Sequence, residues 1–270
     1  MSSEGVGERQ RQKGARFRDL HAGGPFVIPN PWDAGSARVL EALGFVALAT
    51  TSSGFAFTLG RLDGSVSLEE IEAHVRTVDA VTELPISVDL ENGYGPGPED
   101  AAEAIRRAAA AGAVGGSIED WDRDGGRLYE IDEASERVAA AAEAAAALGF
   151  PFTFTARAEN YLHGNPDLDH TIARLRAYEK AGADVLYAPG LSSVEEIRAV
   201  CEAVERPVNV LARPDLSLAE ITGAGAQRIS VGGALAWSAV EGLAAAAEAI
   251  RDGGDFSGLR APARVREWLA

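Results

Sequence analysis

The chain of 270 residues carries 25 Lys and Arg against 41 Asp and Glu, a net charge of −16, with 46% hydrophobic and only 7% aromatic residues. That charge argues against nucleic acid or an anionic membrane surface as the main partner, and an anionic small molecule would need local positive charge to bind. The lone Cys201 excludes an intrachain disulfide framework and fits a reducing compartment. No apolar run approaches the roughly 18 uncharged residues of a membrane helix, and no apolar stretch follows the Arg-rich start, so a cytoplasmic chain is the expectation.

In chain order, residues 1–18 read as a polar, mobile start. Strands follow at Phe26–Ile28, Val46–Thr50, Ile86–Asp89, Gly116–Ile118, Phe152–Ala156, Val185–Ala188, Val208–Leu211 and Arg228–Val231. Helical patterns lie between them at Leu68–Val81, Asp100–Ala111, Asp132–Leu148, Leu168–Ala181, Ser193–Val204 and Trp237–Arg251. Ser67 with Glu70 three residues on forms a capping box, and Ser192 or Ser193 precedes Glu195 and Glu196. Ala-Leu-Gly-Phe, Ala-Gly-Ala-Val and Ala-Gly-Ala-Asp recur at helix-to-strand junctions, placing Gly where helices end. Eight strands, each followed by a helical segment, predict a (β/α)8 barrel over residues 19–258; a doubly wound open sheet would carry fewer strands. Residues 259–270 then form a tail or a short helix.

Chemistry concentrates at the predicted strand ends, where barrel active sites lie. Pro85-Ile-Ser-Val-Asp89-Leu-Glu91-Asn-Gly ends in two acids two residues apart, and period two puts Ser87, Asp89 and Glu91 on one face. Two adjacent carboxylates repel unless a positive group sits between them, and a divalent cation is one such group. The same alternation brings Thr51, Ser53 and Gly54 from the second strand, and Ser117, Glu119 and Asp120 from the fourth. The fifth contributes Thr153, Thr155, Arg157 and Glu159, with Asp63 able to reach the same mouth. Several acids beside one arginine suit an oxygen-ligand Mg²⁺ site (Mn²⁺ being the alternative) with an anion clamp. His163, in the loop after the fifth strand, is a candidate proton carrier. Lysine occurs only as Lys13 and Lys180, away from any strand end, which argues against Schiff-base chemistry. P-loop and dinucleotide fingerprints are missing. Cys201 lies on a helix and reads as a core residue, and Gly232-Gly233 is a weak phosphate-loop signal.

These segments resemble the isocitrate lyase / phosphoenolpyruvate mutase superfamily from about Phe17 to Gly258. The likeness rests on Pro29-Asn-Pro-Trp-Asp33-Ala34, Thr51-Ser-Ser-Gly54, Gly60-Arg-Leu-Asp63, Val88-Asp-Leu-Glu-Asn-Gly-Tyr-Gly95, Ser117-Ile-Glu-Asp120 and Thr155-Ala-Arg-Ala-Glu159. It implies a Mg²⁺-dependent barrel acting on 2-oxo or 2-hydroxy acids, in which the metal stabilises an enolate. It also implies a homodimer or homotetramer that exchanges its last barrel helix. Asp89 resembles the direct metal ligand, Asp63, Glu91 and Glu119 the acids that hold the metal through water, and Arg157 the substrate clamp. Ser53 and Gly54 resemble the pair gripping the substrate carboxylate, with Thr51 beside them.

The departures bear on the reaction. The family usually has Asp where Glu91 stands. The Lys-Lys/Arg-Cys-Gly-His loop of the lyases is replaced by Trp121-Asp-Arg-Asp-Gly-Gly-Arg-Leu-Tyr129, and Ala188-Pro189 replaces a Pro-Glu. Their Asn after the seventh strand aligns with Leu211, close to Arg213. A carbon–carbon lyase, of oxaloacetate-decarboxylase or methylisocitrate-lyase type, is the first expectation; Arg123, Arg127, Tyr129 or His163 would then serve a second carboxylate or the proton. A P–C bond enzyme of the phosphonopyruvate hydrolase or phosphoenolpyruvate mutase type, using Arg123 or Arg127 for the phosphoryl charge, is the second. A non-catalytic 2-oxo-acid-binding protein is the third.

Overall fold

The computed structural model describes residues 3–259 and 264–269, with side chains from residue 7 on; the ends of the mobile start and of the tail that the sequence suggests lie outside the described residues. Eight parallel strands form the barrel: β1 (Phe26–Ile28), β2 (Leu48–Ala49), β3 (Ile86–Asp89), β4 (Gly115–Glu119), β7 (Thr153–Arg157), β8 (Val185–Tyr187), β9 (Val208–Leu211) and β10 (Arg228–Ser230). Their neighbour order is β1-β10-β9-β8-β7-β4-β3-β2. A hydrogen bond from the Ala49 N–H to the Pro29 carbonyl (3.0 Å) links the two ends of that series. The fold is the (β/α)8 barrel that the strand count predicts.

Alternation sorts the side chains. Ile86, Val88 and Phe154 are buried in the layer between strands and helices, while Ser87, Ser117, Asn209 and Ser230 border a cavity inside the barrel. Barrels usually fill this interior with Val, Ile and Leu. Small polar residues here leave room for a ligand. The outer helices come close because their buried faces are mostly alanine: α5 (Pro98–Ala110) buries Ala101, Ala104 and Ala108 beside Ile105, and α6 (Ile131–Ala146) buries Ala134, Ala141 and Ala145. The other outer helices are α2 (Ala34–Ala42), α4 (Leu68–Asp79), α7 (Leu168–Lys180), α8 (Val194–Ala203) and α9 (Leu218–Gly223), with a short α3 (Ser52–Thr58) after β2. Ser67 and Glu70 form the expected capping box of α4, and Ser193 caps α8. Gly112 (φ 113°) and Gly182 (φ 107°) take the left-handed turn that returns the chain from helix to strand, a conformation that strains residues with a Cβ.

Two elements depart from the sequence reading. The polar start forms α1 (Ser3–Ala22), whose Phe17 is fully buried with Phe26, Ile28, Ala47 and Val114 under the strand starts. Lys13 donates to Asp79 (2.7 Å) and the Thr82 carbonyl (2.8 Å). Such partners lie far away in sequence, so a local reading of composition misses them. Second, Trp121–Asp122 (β5) and Arg127–Leu128 (β6) pair as an antiparallel hairpin above β4. The last barrel helix, α10 (Ala234–Gly253), forms where the sequence places one and buries only Ala236 among the described residues, leaving Trp237 and Leu243 exposed. Near the C-terminus α11 (Val265–Leu269) packs near α2. No helix among the described residues is long and apolar enough to cross a membrane.

Candidate active site at the barrel mouth

A cavity of about 190 Å³ opens at the C-terminal ends of the strands, and Thr51, Ser53, Asp63, Asp89 and Arg157 all line it. Thr51, two residues past β2 and extended in backbone, caps α3, its hydroxyl accepting from the Gly54 N–H (3.4 Å) and lying 3.1 Å from Ser53 Oγ. Asp89 is fixed from two sides: its Oδ2 accepts from the Ser52 N–H (3.2 Å), its Oδ1 from the Glu91 N–H (3.2 Å). Its own N–H donates to Thr50 Oγ1 (3.0 Å). The carboxylate is therefore set in place by backbone before any ligand arrives.

Arg157, at the end of β7, sits among three acids. Its Nη1 lies 3.2 Å from Glu119 and 3.8 Å from Asp89, and its Nε bonds Glu159. Glu159 is held by its N–H donating to Asp120 Oδ1 (2.7 Å). Asp120 is in turn paired with the buried Arg174 (2.9 Å) and bonded by Tyr178. Burial would push Glu159 up, but Arg157 and His163 outweigh it and hold the carboxyl below its ordinary range. Glu119 goes the other way: burial raises it well above normal, Arg157 opposes, and the neighbouring acids add to the rise.

Several expected positions shift. Glu91 does not continue the face of Asp89, because it adopts φ 48° and β3 has already ended. It turns to meet Arg123 on the hairpin (2.9 Å) and the Tyr94 hydroxyl (3.4 Å). Burial first, and then Asp89, raise Glu91 to about 7 against the pull of Arg123. Arg123 also lies against Gly64, where a Cβ would collide with its guanidinium. His163 is stacked on Trp121 (centroids 3.5 Å apart, 6° between planes), with Nε2 3.4 Å from Glu159. It stands beside the cavity rather than in its lining, as do Glu91, Glu119 and Arg123. Gly54 is packed against Thr51 and Trp32, and its N–H is already engaged by Thr51. The structure therefore brings Thr51, Ser53, Asp63, Asp89 and Arg157 together directly and the remaining candidates around them.

Tyr187, Asn209 and Arg228, which also line the cavity, are absent from the sequence-derived set. Period two along Val208–Leu211 points Asn209 and Leu211 inward and could have found the asparagine. Arg228 opens its strand, far from the mouth, where a strand-end search does not look.

No group of three or more His, Cys, Asp or Glu is already gathered for a metal among the described residues. The donor set nonetheless fits Mg²⁺. Asp89 offers a hard oxygen to the cavity, Asp63 shares that lining, and this ion keeps several waters and takes few protein ligands directly.

The model of the family described as "Phosphoenolpyruvate phosphomutase" matches residues 17–251. A crystal structure of a lyase/mutase candidate from Burkholderia cenocepacia superposes with a TM-score of 0.94, at 50% identity over 97% of each chain. The oxaloacetate decarboxylase of Rhodopseudomonas palustris is 28% identical, covering 90% of this chain and 86% of its own. The 2-methylisocitrate lyase of Halalkalibacterium halodurans is 29% identical over 74% of this chain and 67% of its own.

Proposed function

The chain belongs to the phosphoenolpyruvate phosphomutase family, an enzyme family within the isocitrate lyase / phosphoenolpyruvate mutase superfamily, and from that premise we propose that it is a Mg²⁺-dependent carbon–carbon lyase acting on a 2-oxo or 2-hydroxy carboxylic acid. The observation that carries this reading is the arrangement of Asp89 and Arg157 on one cavity. A backbone-fixed carboxylate faces the ligand space, and beside it a guanidinium is locked by three acids. One Arg157 charge stands against Asp89, Glu119 and Glu159, and this excess of negative charge suits a dication better than a bare anion.

Asp89 would hold the metal directly, and Asp63, Glu91 and Glu119 would hold its waters. When bound, Mg²⁺ supplies a Lewis acid at the substrate's 2-oxo oxygen. Arg157 orients the adjacent carboxylate, and its acidic neighbours stop it from following the ligand out. Ser53 offers a hydroxyl to the same carboxylate, whereas Gly54, its N–H engaged, contributes close packing. His163 acts through Glu159, not on the ligand. Arg123 reaches a ligand only by releasing Glu91.

The hairpin favours C–C over P–C cleavage. A transferring phosphoryl group demands free positive charge, yet Arg123 is bound to Glu91 and Arg127 to Glu133 (2.9 Å). Decarboxylation or retro-aldol cleavage needs an electron sink more than a cationic loop.

The exposed apolar side chains of α10, Trp237 and Leu243 among them, suit a homodimer or homotetramer in which a second copy covers that helix. Sizing by light scattering should show an oligomer that Leu243→Glu disperses; a monomeric wild type removes the idea. The test of the activity is Mg²⁺-dependent thermal stabilisation by 2-oxo acids together with turnover of oxaloacetate and 2-methylisocitrate. Stabilisation and turnover that both vanish in EDTA are expected, and neither occurring with any acid would reject the reading.

A further inference from the structure

The reading above uses the side of the mouth built after β2 and β3, together with Arg157. Across the barrel the mouth is made of other material. β9 stands opposite β3 in the strand order. Past β7 and β8 and at the end of β9, the residues lining the cavity are Leu162, Pro189 and Leu211. They form one wall. Leu162 lies against the turn after β8, its Cδ2 3.3 Å from where a Cβ on Gly190 would stand. Leu211 leans over Gly232, its Cδ1 3.2 Å from the corresponding point there. Leu162 is 50% exposed, so the wall runs from the cavity out to solvent.

This wall gives an ionised group nothing to bind. Pro189 has no N–H, and the Leu162 N–H is spent on the Glu159 carbonyl (3.0 Å). Arg157 and Arg228 are the two basic residues that line the cavity. Arg157 stands among Asp89, Glu119 and Glu159. Arg228 is buried at its strand start, with Nε on Asn209 (2.8 Å) and no accessible surface at Nη1. Asn209 donates in turn to Ser230 (3.0 Å), so these polar groups below the wall bond one another. Around the rim Arg123, Arg127 and Arg213 pair with Glu91, Glu133 and Asp215, each at 2.9 Å. A carboxylate brought against the wall loses hydration and gains no partner, and the acids across the cavity repel it. An alkyl or aryl group in the same place leaves water favourably.

Resting on the proposed 2-oxo-acid site, we propose that Leu162, Pro189 and Leu211 select a substrate whose far end is uncharged and apolar. The substrate carries its one carboxylate to Ser53 and Arg157 and lays an alkyl or aryl group on the wall. A diacid is then a poor ligand beside an apolar 2-oxo acid of the same shape.

The experiment measures Kd, with Mg²⁺ present, for a shape-matched pair, 5-methyl-2-oxohexanoate and 2-oxoglutarate, with pyruvate as the short reference. The pair differs only in an isopropyl group against a carboxylate at the far end. The proteins are the wild type, Leu211→Asn and Leu162→Lys. The last changes a half-exposed side chain, so it serves if the asparagine variant does not fold. The wild type should bind the apolar acid about tenfold or more tighter than the diacid. That ratio should fall toward one in Leu211→Asn, and in Leu162→Lys, which sets a cation on the wall, it should invert. Equal or tighter binding of 2-oxoglutarate by the wild type overturns the proposal, as does a ratio unchanged in both variants. Binding of pyruvate but of neither longer acid overturns it too, while the 2-oxo-acid site stands. If none of the three acids binds, that site and the selection built on it fall together.

Discussion

The two ends of the barrel use the same residue types to opposite effect. At the floor, charges are matched: Lys13 and Arg9 face Asp79 and Glu83 at 2.7–3.0 Å, and the hydrogen bonds left over go to backbone carbonyls of Asp79 and Thr82. At the mouth they are not. Arg157 is outnumbered by three acids, and Glu91 is buried with a raised pKa. A matched network needs nothing more and serves stability; a mismatched one is stable only when a ligand completes it. The difference separates the parts of the fold that hold from the parts that bind.

The strongest way to break that distinction is to remove one aspartate from each end. Asp89→Ala should lower kcat/KM by about 10³-fold or more, on the order of 4 kcal/mol of transition-state stabilisation. It should leave the melting temperature within a few degrees of wild type. Asp79→Ala should do the reverse. It strands Lys13 and loosens Arg9, costing about 3 kcal/mol and on the order of 6–10 °C in melting temperature, with kcat/KM within about twofold. Equal losses of activity in the two variants would show that the ends are not divided in this way.

The ends should also respond to pH in opposite directions. Glu91 is raised to about 7 by burial and by Asp89, from an ordinary 4.5. The folded protein holds that proton more tightly than the unfolded chain does. The associated stability is present below about 4.5 and is lost as pH rises through 7, on the order of 3 kcal/mol over the full span. His21 is lowered to about 3 by burial and then by Arg228, from an ordinary 6.5. Its contribution is present above 6.5 and is lost as pH falls toward 3. Melting temperatures at pH 5, 6.5 and 8 should therefore fall toward pH 8 in the wild type but not in Glu91→Gln. His21→Gln should lose less than the wild type on going from pH 6.5 to 5. A Glu91→Gln profile parallel to wild type would assign the alkaline decline to another group.

Much of this division was legible in the sequence. Apolar runs such as Ile86–Asp89 and Val208–Leu211 end in the structure where the pattern ends them, because a buried parallel strand needs a continuous apolar outer face. Asp89 and Arg157 were legible as strand-end polar residues on an inward face. Glu91 escaped because alternation holds only while the strand lasts, and a left-handed residue ends it. The start of the chain escaped because α1 owes its place to Phe17 under the strands and to Asp79, contacts with remote residues. Arg228 escaped because it opens β10 and reaches the cavity from the strand start, where a search of strand ends does not look.

The smallest expected effect lies where mouth and hairpin meet. Trp121 on β5 stacks on His163, and His163 lies against Glu159, which in turn holds Arg157. Arg123, two residues along from Trp121, fastens the same hairpin to Glu91. The hairpin is thus pinned at two points, and none of the four residues lines the cavity. Trp121→Ala removes a stacked pair worth about 1 kcal/mol. It should raise KM about fivefold, with kcat little changed and melting temperature within a few degrees. Because the two rings act on Arg157 only together, His163→Ala should produce a similar rise, and the double variant little more than either alone. Effects that multiply fully in the double variant would mean that the rings act separately, and that the hairpin is held by Arg123 alone.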